Sequence, residues 1–212
     1  MQSYGIQKNK NPKSTLYSQE EEILVIRKEF LFPYGIIDGL QFVDVHEYES
    51  LIVSKGVFMR RSLVEENINF KQIIPYLIFM HKDKIFLMQR KSSASESRLK
   101  NKYSLGIGGH IRKEDLLNGD ITLWAKREFN EEVLYKGAFN IKPIGLLNDE
   151  RDSVGMVHTG FVFLVEGDTD KIDVRSELKQ GNLFCISECL RFYPKMESWS
   201  KIVFDYLKKE IK

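Results

Sequence analysis

Apolar residues in this chain recur at two spacings, one suited to strands and one to helices. Residues 1–18 show neither; they are polar, rich in Asn, Lys and Ser, and predict a mobile tail. Ile23–Ile26 is a short apolar run punctuated later by Pro33 and Gly35, and it predicts a strand. VDVHEYESLIVSK reads as a helix or irregular segment ending near Gly56, with a strand after it. FKQIIPYLIFMHKDKIFLMQRK predicts a hairpin, because two apolar, β-rich arms flank a polar turn at His81–Lys84. Pro75 has no N–H for a ladder and is expected at a strand start or a sheet edge.

A serine-rich loop, SSASESRLKNKYS, follows the hairpin, and Gly106, Gly108 and Gly109 come close behind it. Ile121–Lys136 predicts a helix stopped by Gly137, with Lys136 in its last turn. IKPIGLL and VHTGFVFLVEG predict two further strands. Met196, Trp199, Ile202, Val203, Tyr206 and Leu207 recur every three or four residues and predict a final amphipathic helix. Strands, helix, strands and helix in that order suggest an α+β or sandwich-like core. Residues 19–70 are too apolar for a free linker. They are expected to pack on the core formed by 71–212, or to join two copies as a homodimer.

Composition narrows the partners. The chain has 212 residues, enough to bury a core without disulfide or metal staples. Lys and Arg number 32 against 30 Asp and Glu, a near-balance that argues against a dedicated nucleic-acid or membrane binder. The longest apolar run, Ile73–Met80, is too short to span a bilayer. MQSYGIQKNKNPKS carries no signal-peptide core, so a cytoplasmic location is expected. Cys185 and Cys189 are spaced i,i+4 with no second pair to build a zinc site, and are expected to be reduced and half-buried.

The segment GIGGHIRKEDLLNGDITLWAKREFNEEVLYKG carries the chemistry. At about 100° per residue, Glu131 falls roughly 60° to one side of Glu128 and Glu132 roughly 40° to the other. Like charges so close on a helix are unfavourable by about 0.2–0.5 kcal/mol per pair. A hard divalent cation with phosphate ligands would make the cluster favourable. The plain alternative is a surface helix in which Arg127 pairs with Glu131 and Glu132 with Lys136.

These residues resemble the Nudix box of the Nudix (MutT-like) hydrolases, in a bacterial branch of undefined substrate. Arg127-Glu128-Phe129-Asn130-Glu131-Glu132 matches its second half, and Gly108-Gly109-His110-Ile111 matches the approach to its loop. FKQIIPYLIF, RLKNKYSLGIGGHI and VGMVHTGFVF extend the likeness over about residues 70–166. Two departures stand out. Seventeen residues separate Gly109 from Arg127, four more than the family spacing, so Glu114, Asp115 and Asp120 all remain candidates for the first box acid. The box glycine after the Glu pair is Leu134 here, which a helix one turn longer would accommodate.

The resemblance implies the Nudix fold, an α/β/α sandwich with a mixed sheet, here with an N-terminal extension. It also implies Mg²⁺-dependent (Mn²⁺ as substitute) cleavage of a nucleoside diphosphate linked to another group. Glu128, Glu131 and Glu132, with the Gly109 carbonyl, would hold the metal, which would polarise the pyrophosphate and activate water. Arg127 would orient a carboxylate. The general base stays open among the three glutamates and Glu150. Candidate substrate contacts are Arg98, Lys102 (with Lys100 beside it), Arg90 and His158, each with a structural alternative: a solvated loop or a backbone-bonded histidine. Trp124 and Phe129 are expected in the core. Two rivals on the same fold are a nucleotide-binding regulatory module with little hydrolysis, and an isoprenoid diphosphate isomerase. The isomerase usually needs a cysteine near the sheet floor, and both cysteines here lie well after the box.

Overall fold

The structure is a computed structural model that describes residues 20–90, 101–115, 120–175 and 179–210. The tail over 1–18 and the candidates Arg98 and Lys100 lie outside those residues, as does the side chain of Arg90. In chain order the elements are β1 (Glu22–Arg27), α1 (Lys28–Leu31), β2 (Gly39–Gln41), α2 (Val45–Lys55), β3 (Val57–Arg60), α3 (Arg61–Val64), β4 (Phe70–His81) and β5 (Lys84–Arg90). There follow β6 (Tyr103–Ser104), β7 (Gly106–Gly108), α4 (Ile121–Glu132), β8 (Val133–Tyr135), β9 (Phe139–Asn148) and β10 (His158–Gly167). The chain closes with β11 (Ile172–Val174), β12 (Lys179–Cys185), α5 (Ile186–Cys189) and α6 (Ser198–Glu210).

The main sheet runs β12-β5-β4-β10-β9-β2, with β1 and β7 also on β4, β3 on β1 and β6 on β5. β4 and β10 are parallel, and their neighbours are antiparallel, so the sheet is mixed. Helices cover both faces, which makes an α/β/α sandwich. This is why β4 reads as an unbroken apolar run instead of an alternating one. Ile73, Leu77 and Phe79 pack with Trp124, Ala125 and Phe129 of α4. Tyr76, Ile78 and Met80 pack on the other face with Val203, Phe204 and Leu207 of α6. Full burial of a side chain of this size contributes roughly 1.5–3 kcal/mol, so packing holds both helices down.

Pro75 is neither at a start nor at an edge. It is internal to β4, in register with Phe161 of β10. On its other side the ladder to β1 ends at Gln72 and the ladder to β7 begins at Tyr76. A strand that changes partners there has no antiparallel bond for the proline to break.

The box helix also differs from expectation. α4 stops at Glu132, and Val133 is already extended at φ −128°, ψ 154°. Val133-Leu134-Tyr135, a β-branched and aromatic run, pairs with β11 as a separate two-stranded sheet. Arg175 then closes the helix end: its N–H donates to Glu132 O at 2.9 Å and its Nε to Asn130 O at 2.8 Å. A cation on terminal carbonyls replaces a glycine stop. Lys136 lies past the helix, so an i,i+4 helical pair with Glu132 cannot form. The helix start is capped by Asp120, which accepts from Thr122 N at 2.7 Å, and by Glu49, which accepts from Ile121 N at 2.9 Å.

Among the described residues no helix is long and apolar enough to cross a membrane. β1 and β2 both enter the main sheet, and Leu24 and Ile26 belong to the α4-side core. A chain beginning at residue 71 is therefore expected to aggregate or melt without a cooperative transition, checked by gel filtration and thermal denaturation; a soluble, sharply melting fragment would contradict it.

Candidate active site

A cavity of about 300 Å³ opens beside the Gly-rich strand. Such a volume lies at the lower end of the range for small-molecule sites. Gly108, Gly109 and His110 form one wall, and Glu132 reaches it from the end of α4. Asp152, Val154 and Gly155 from the 149–157 loop, His158 at the start of β10, and Ser198 and Trp199 from the first turn of α6 also line it.

Glu128 is 4% exposed and lies against Gly109. A Cβ on Gly109 would collide with its carboxylate, coming 2.9 Å from Cδ and 3.1 Å from Oε2. Glycine here is a requirement of that close approach. Arg127 sits behind the carboxylates. Its Nη2 donates to His110 O at 3.1 Å and to Glu128 Oε2 at 3.3 Å. Its Nη1 lies 2.7 Å from Glu131 Oε2 and its Nε 2.9 Å from Asp115 Oδ1. The last two are ion pairs by distance; neither is aligned as a hydrogen bond. Glu131 is 46% exposed along its side chain.

The three candidate loop acids separate here. Asp115 holds Arg127 and accepts Arg112 N–H at 2.7 Å. Asp120 is the cap of α4, and Glu114 is exposed on a 3₁₀ turn over Lys113–Asp115. Trp124 and Phe129 are buried in the core, and the Trp124 indole N–H donates to Asp115 O at 3.0 Å.

Glu150 does not line the cavity. Lys28 Nζ lies 2.7 Å from its Oε2 and Lys71 Nζ 2.9 Å from its Oε1. Burial alone would raise its pKa, but the two ammonium groups outweigh burial and hold it low. Lys71 itself is fully buried and donates to Gly155 O at 2.7 Å. Burial lowers its pKa, and Glu150 opposes that.

Of the candidate substrate contacts, Lys102 and His158 line the cavity. His158 Nδ1 donates to Val154 O at 2.7 Å. His110 Nε2 donates to Gln72 Oε1 at 2.7 Å, and burial, with nearby Arg61, pushes its pKa down to about 3. The two imidazoles stand 5.6 Å apart. Several lining residues escape a reading of the sequence. Arg61 comes from the N-terminal segment, where it pairs with Glu21 and Glu65; Asp152 comes from the loop; Ser198 and Trp199 come from α6. Only Trp199 carries a signal, as an aromatic flanked by polar residues, and its helical spacing assigns it to the core.

Comparison with protein-family models finds no match. Protein YmaB of Bacillus subtilis (strain 168) is 35% identical over 209 residues, covering 89% of this chain and 98% of that one. The crystal structure of Tm1382, assigned as a Nudix hydrolase, superposes with a TM-score of 0.78 at 30% identity, over 90% of this chain and all of that one. This chain belongs to the Nudix hydrolase family. The Nudix domain of Shewanella oneidensis NrtR, solved with ADP ribose, has a TM-score of 0.53 at 11% identity over 67% of this chain and 89% of its own, which shows the fold alone. As a Nudix hydrolase the protein is a pyrophosphohydrolase, acting in general on nucleoside diphosphate linkages. Its Nudix helix is one turn shorter than its sequence suggests, and of its loop acids Asp115 serves the arginine and Asp120 the helix cap.

Burial lowers the pKa of His158, against the opposing bond to Val154 O. Its folded pKa is thus below the unfolded value of about 6.5. Its share of stability is complete above that pH and lost as pH falls, because the unfolded chain binds a proton that the folded state refuses. Thermal melts should fall between pH 7.5 and pH 5, and His158→Asn, which keeps a donor for Val154 O, should make that fall shallower. An unchanged fall would remove His158 from the account.

Proposed function

We propose that the protein is an Mg²⁺-dependent hydrolase, with Mn²⁺ as a substitute, that cleaves the pyrophosphate of a nucleoside diphosphate joined to another group. The observation that carries this is the Glu128 carboxylate pressed on Gly109 while Glu132 opens into the same cavity. Glu128, Glu131, Glu132 and the Gly109 carbonyl are all hard oxygen donors, and such a donor set fits Mg²⁺. Among the described residues no three His, Cys, Asp or Glu side chains converge as a finished cation site. Water and substrate phosphates would complete the shell, as Mg²⁺ prefers. When bound, the cation supplies positive charge to the pyrophosphate oxygens and makes water a better nucleophile.

The chain's own residues do the rest. Arg127 fixes Glu128 and Glu131, so the carboxylates are set before substrate arrives. Lys102 brings a cation to the cavity for phosphate. His110, kept neutral by burial, offers a hydrogen-bonding wall instead of a charge. Glu150 is engaged by Lys28 and Lys71, which disfavours it as general base and leaves the box glutamates for that role. The ADP ribose bound by the NrtR domain is a nucleoside diphosphate joined to a sugar, the ligand class this reading assigns here.

Glu131→Gln or Glu132→Gln should lower turnover by about 10²-fold or more, because electrostatic stabilisation usually contributes most to catalysis at such sites. Phosphate and mononucleotide release across dinucleoside, sugar and cofactor diphosphates measures this. Thermal melts in millimolar Mg²⁺ against EDTA, at matched ionic strength, supply a readout independent of activity. Wild-type activity in both variants would sink the assignment. Nucleotide binding without turnover in the wild type would favour the regulatory module.

A further inference from the structure

The cavity has an aromatic side that the box carboxylates leave unexplained. We propose that the Trp199 indole is a platform on which a planar ring of the substrate stacks, making it the residue that prefers a base-bearing diphosphate over a bare one. This rests on reading the site as a diphosphate hydrolase centre.

Trp199 is half-buried in the first turn of α6 and lines the same cavity as Gly109 and Glu132. The benzo edge of its indole is seated on Gly160, where an added Cβ would come within 3.1 Å of Cζ3 and 3.5 Å of Cε3. A glycine inside a strand weakens it and marks a close approach. Here the group that approaches is the indole. Ile74, in register with Gly160, continues the apolar floor. The Tyr76 ring meets the indole at 5.4 Å and 84°, an edge-to-face contact.

The platform is also held rigidly. Tyr76 Oη and Ser200 Oγ share a hydrogen bond of 2.9 Å, and Ser200 Oγ accepts Leu105 N–H at 3.0 Å. Glu197 N–H donates to Tyr103 O at 2.9 Å. The first turn of α6 is therefore fastened to β4 and to the residues leading into the Gly-rich strand. Trp124 is a useful contrast: it is 2% exposed with its N–H satisfied in the core. A packing residue is enclosed in that way, whereas Trp199 is fixed partly by its edge and keeps surface in the cavity. The negative π face of an indole has no attraction for phosphate oxygens. It suits a flat heteroaromatic ring, and stacking is tolerant of which base it is.

The test uses α,β-methylene-ADP, which carries a base, and imidodiphosphate, which does not, both with Mg²⁺. Calorimetry on wild type, Trp199→Phe and Trp199→Leu gives the affinities. The expected result is that Trp199→Leu binds α,β-methylene-ADP at least about fivefold more weakly, that Trp199→Phe stays close to wild type, and that imidodiphosphate affinity is the same in all three. In the wild-type protein the Trp199 indole N–H resonance, assigned from its loss in Trp199→Phe, should shift with α,β-methylene-ADP and stay in place with imidodiphosphate. That measurement holds even if the leucine variant does not fold. Binding of imidodiphosphate in wild type with no gain from the base and no indole shift would overturn the platform and leave the diphosphate reading standing. Binding of neither probe would overturn that reading, and the platform with it.

Discussion

Strand β4 is covered on both faces and bonded along both edges, and the site is assembled from what it displays. Lys71 near its start is fully buried and reaches the backbone of the 149–157 loop. The next residue, Gln72, bonds His110, and Tyr76 bonds Ser200 at the start of α6. Three chain segments far apart in sequence are thus fastened within six residues of one strand. A buried ammonium that loses its partners costs several kcal/mol, so the loop over Lys71 cannot drift without exposing or neutralising it. The rigidity of the cavity follows from the cost of leaving polar groups on β4 unpaired.

Arg127 does on α4 what β4 does for the sheet. One guanidinium spans Asp115 in the loop, the His110 carbonyl on the Gly-rich wall, and Glu128 and Glu131 on its own helix. Its planar fork makes such a span feasible; a lysine in its place would offer a point charge without the geometry. The surface-helix alternative holds for one pair, Arg127 with Glu131, but that pair is part of a partly buried hub. The same contact removes a simpler picture in which Glu128 is surrounded only by like charge.

How much of this is readable in the sequence depends on range. β1, β4, β5, β9, β10 and α6 follow from local apolar spacing and turn residues, α2 is left between a helix and an irregular segment, and the family follows from REFNEE and GIGGH. The end of α4 does not. Val133-Leu134-Tyr135 continues a helical pattern well enough, and only pairing with Ile172–Val174, far along the chain, makes it a strand. Local rules misplace Pro75 because its tolerance depends on β4 changing partners at that point. Asp115 cannot be told from Asp120 or Glu114 until Arg127 and the helix cap have claimed two of the three. Arg61 and Asp152 have no sequence signal, since their place in the cavity arises from tertiary contact alone.

The glycines connect these threads. Gly109 leaves room for the Glu128 carboxylate and Gly160 for the Trp199 indole, and Gly109 and Trp199 line one cavity. At either position even alanine would add a Cβ where another residue's side chain already lies, and the neighbour would have to move. Backbone that lacks a side chain is how a sheet brings a charged group and an aromatic group to the edge of the same space. In the sequence Gly109 stands out as part of the Gly-rich approach to the box loop, whereas Gly160 is a minor break in an apolar strand. Their common cause is close approach, of a carboxylate in the first case and of an indole in the second.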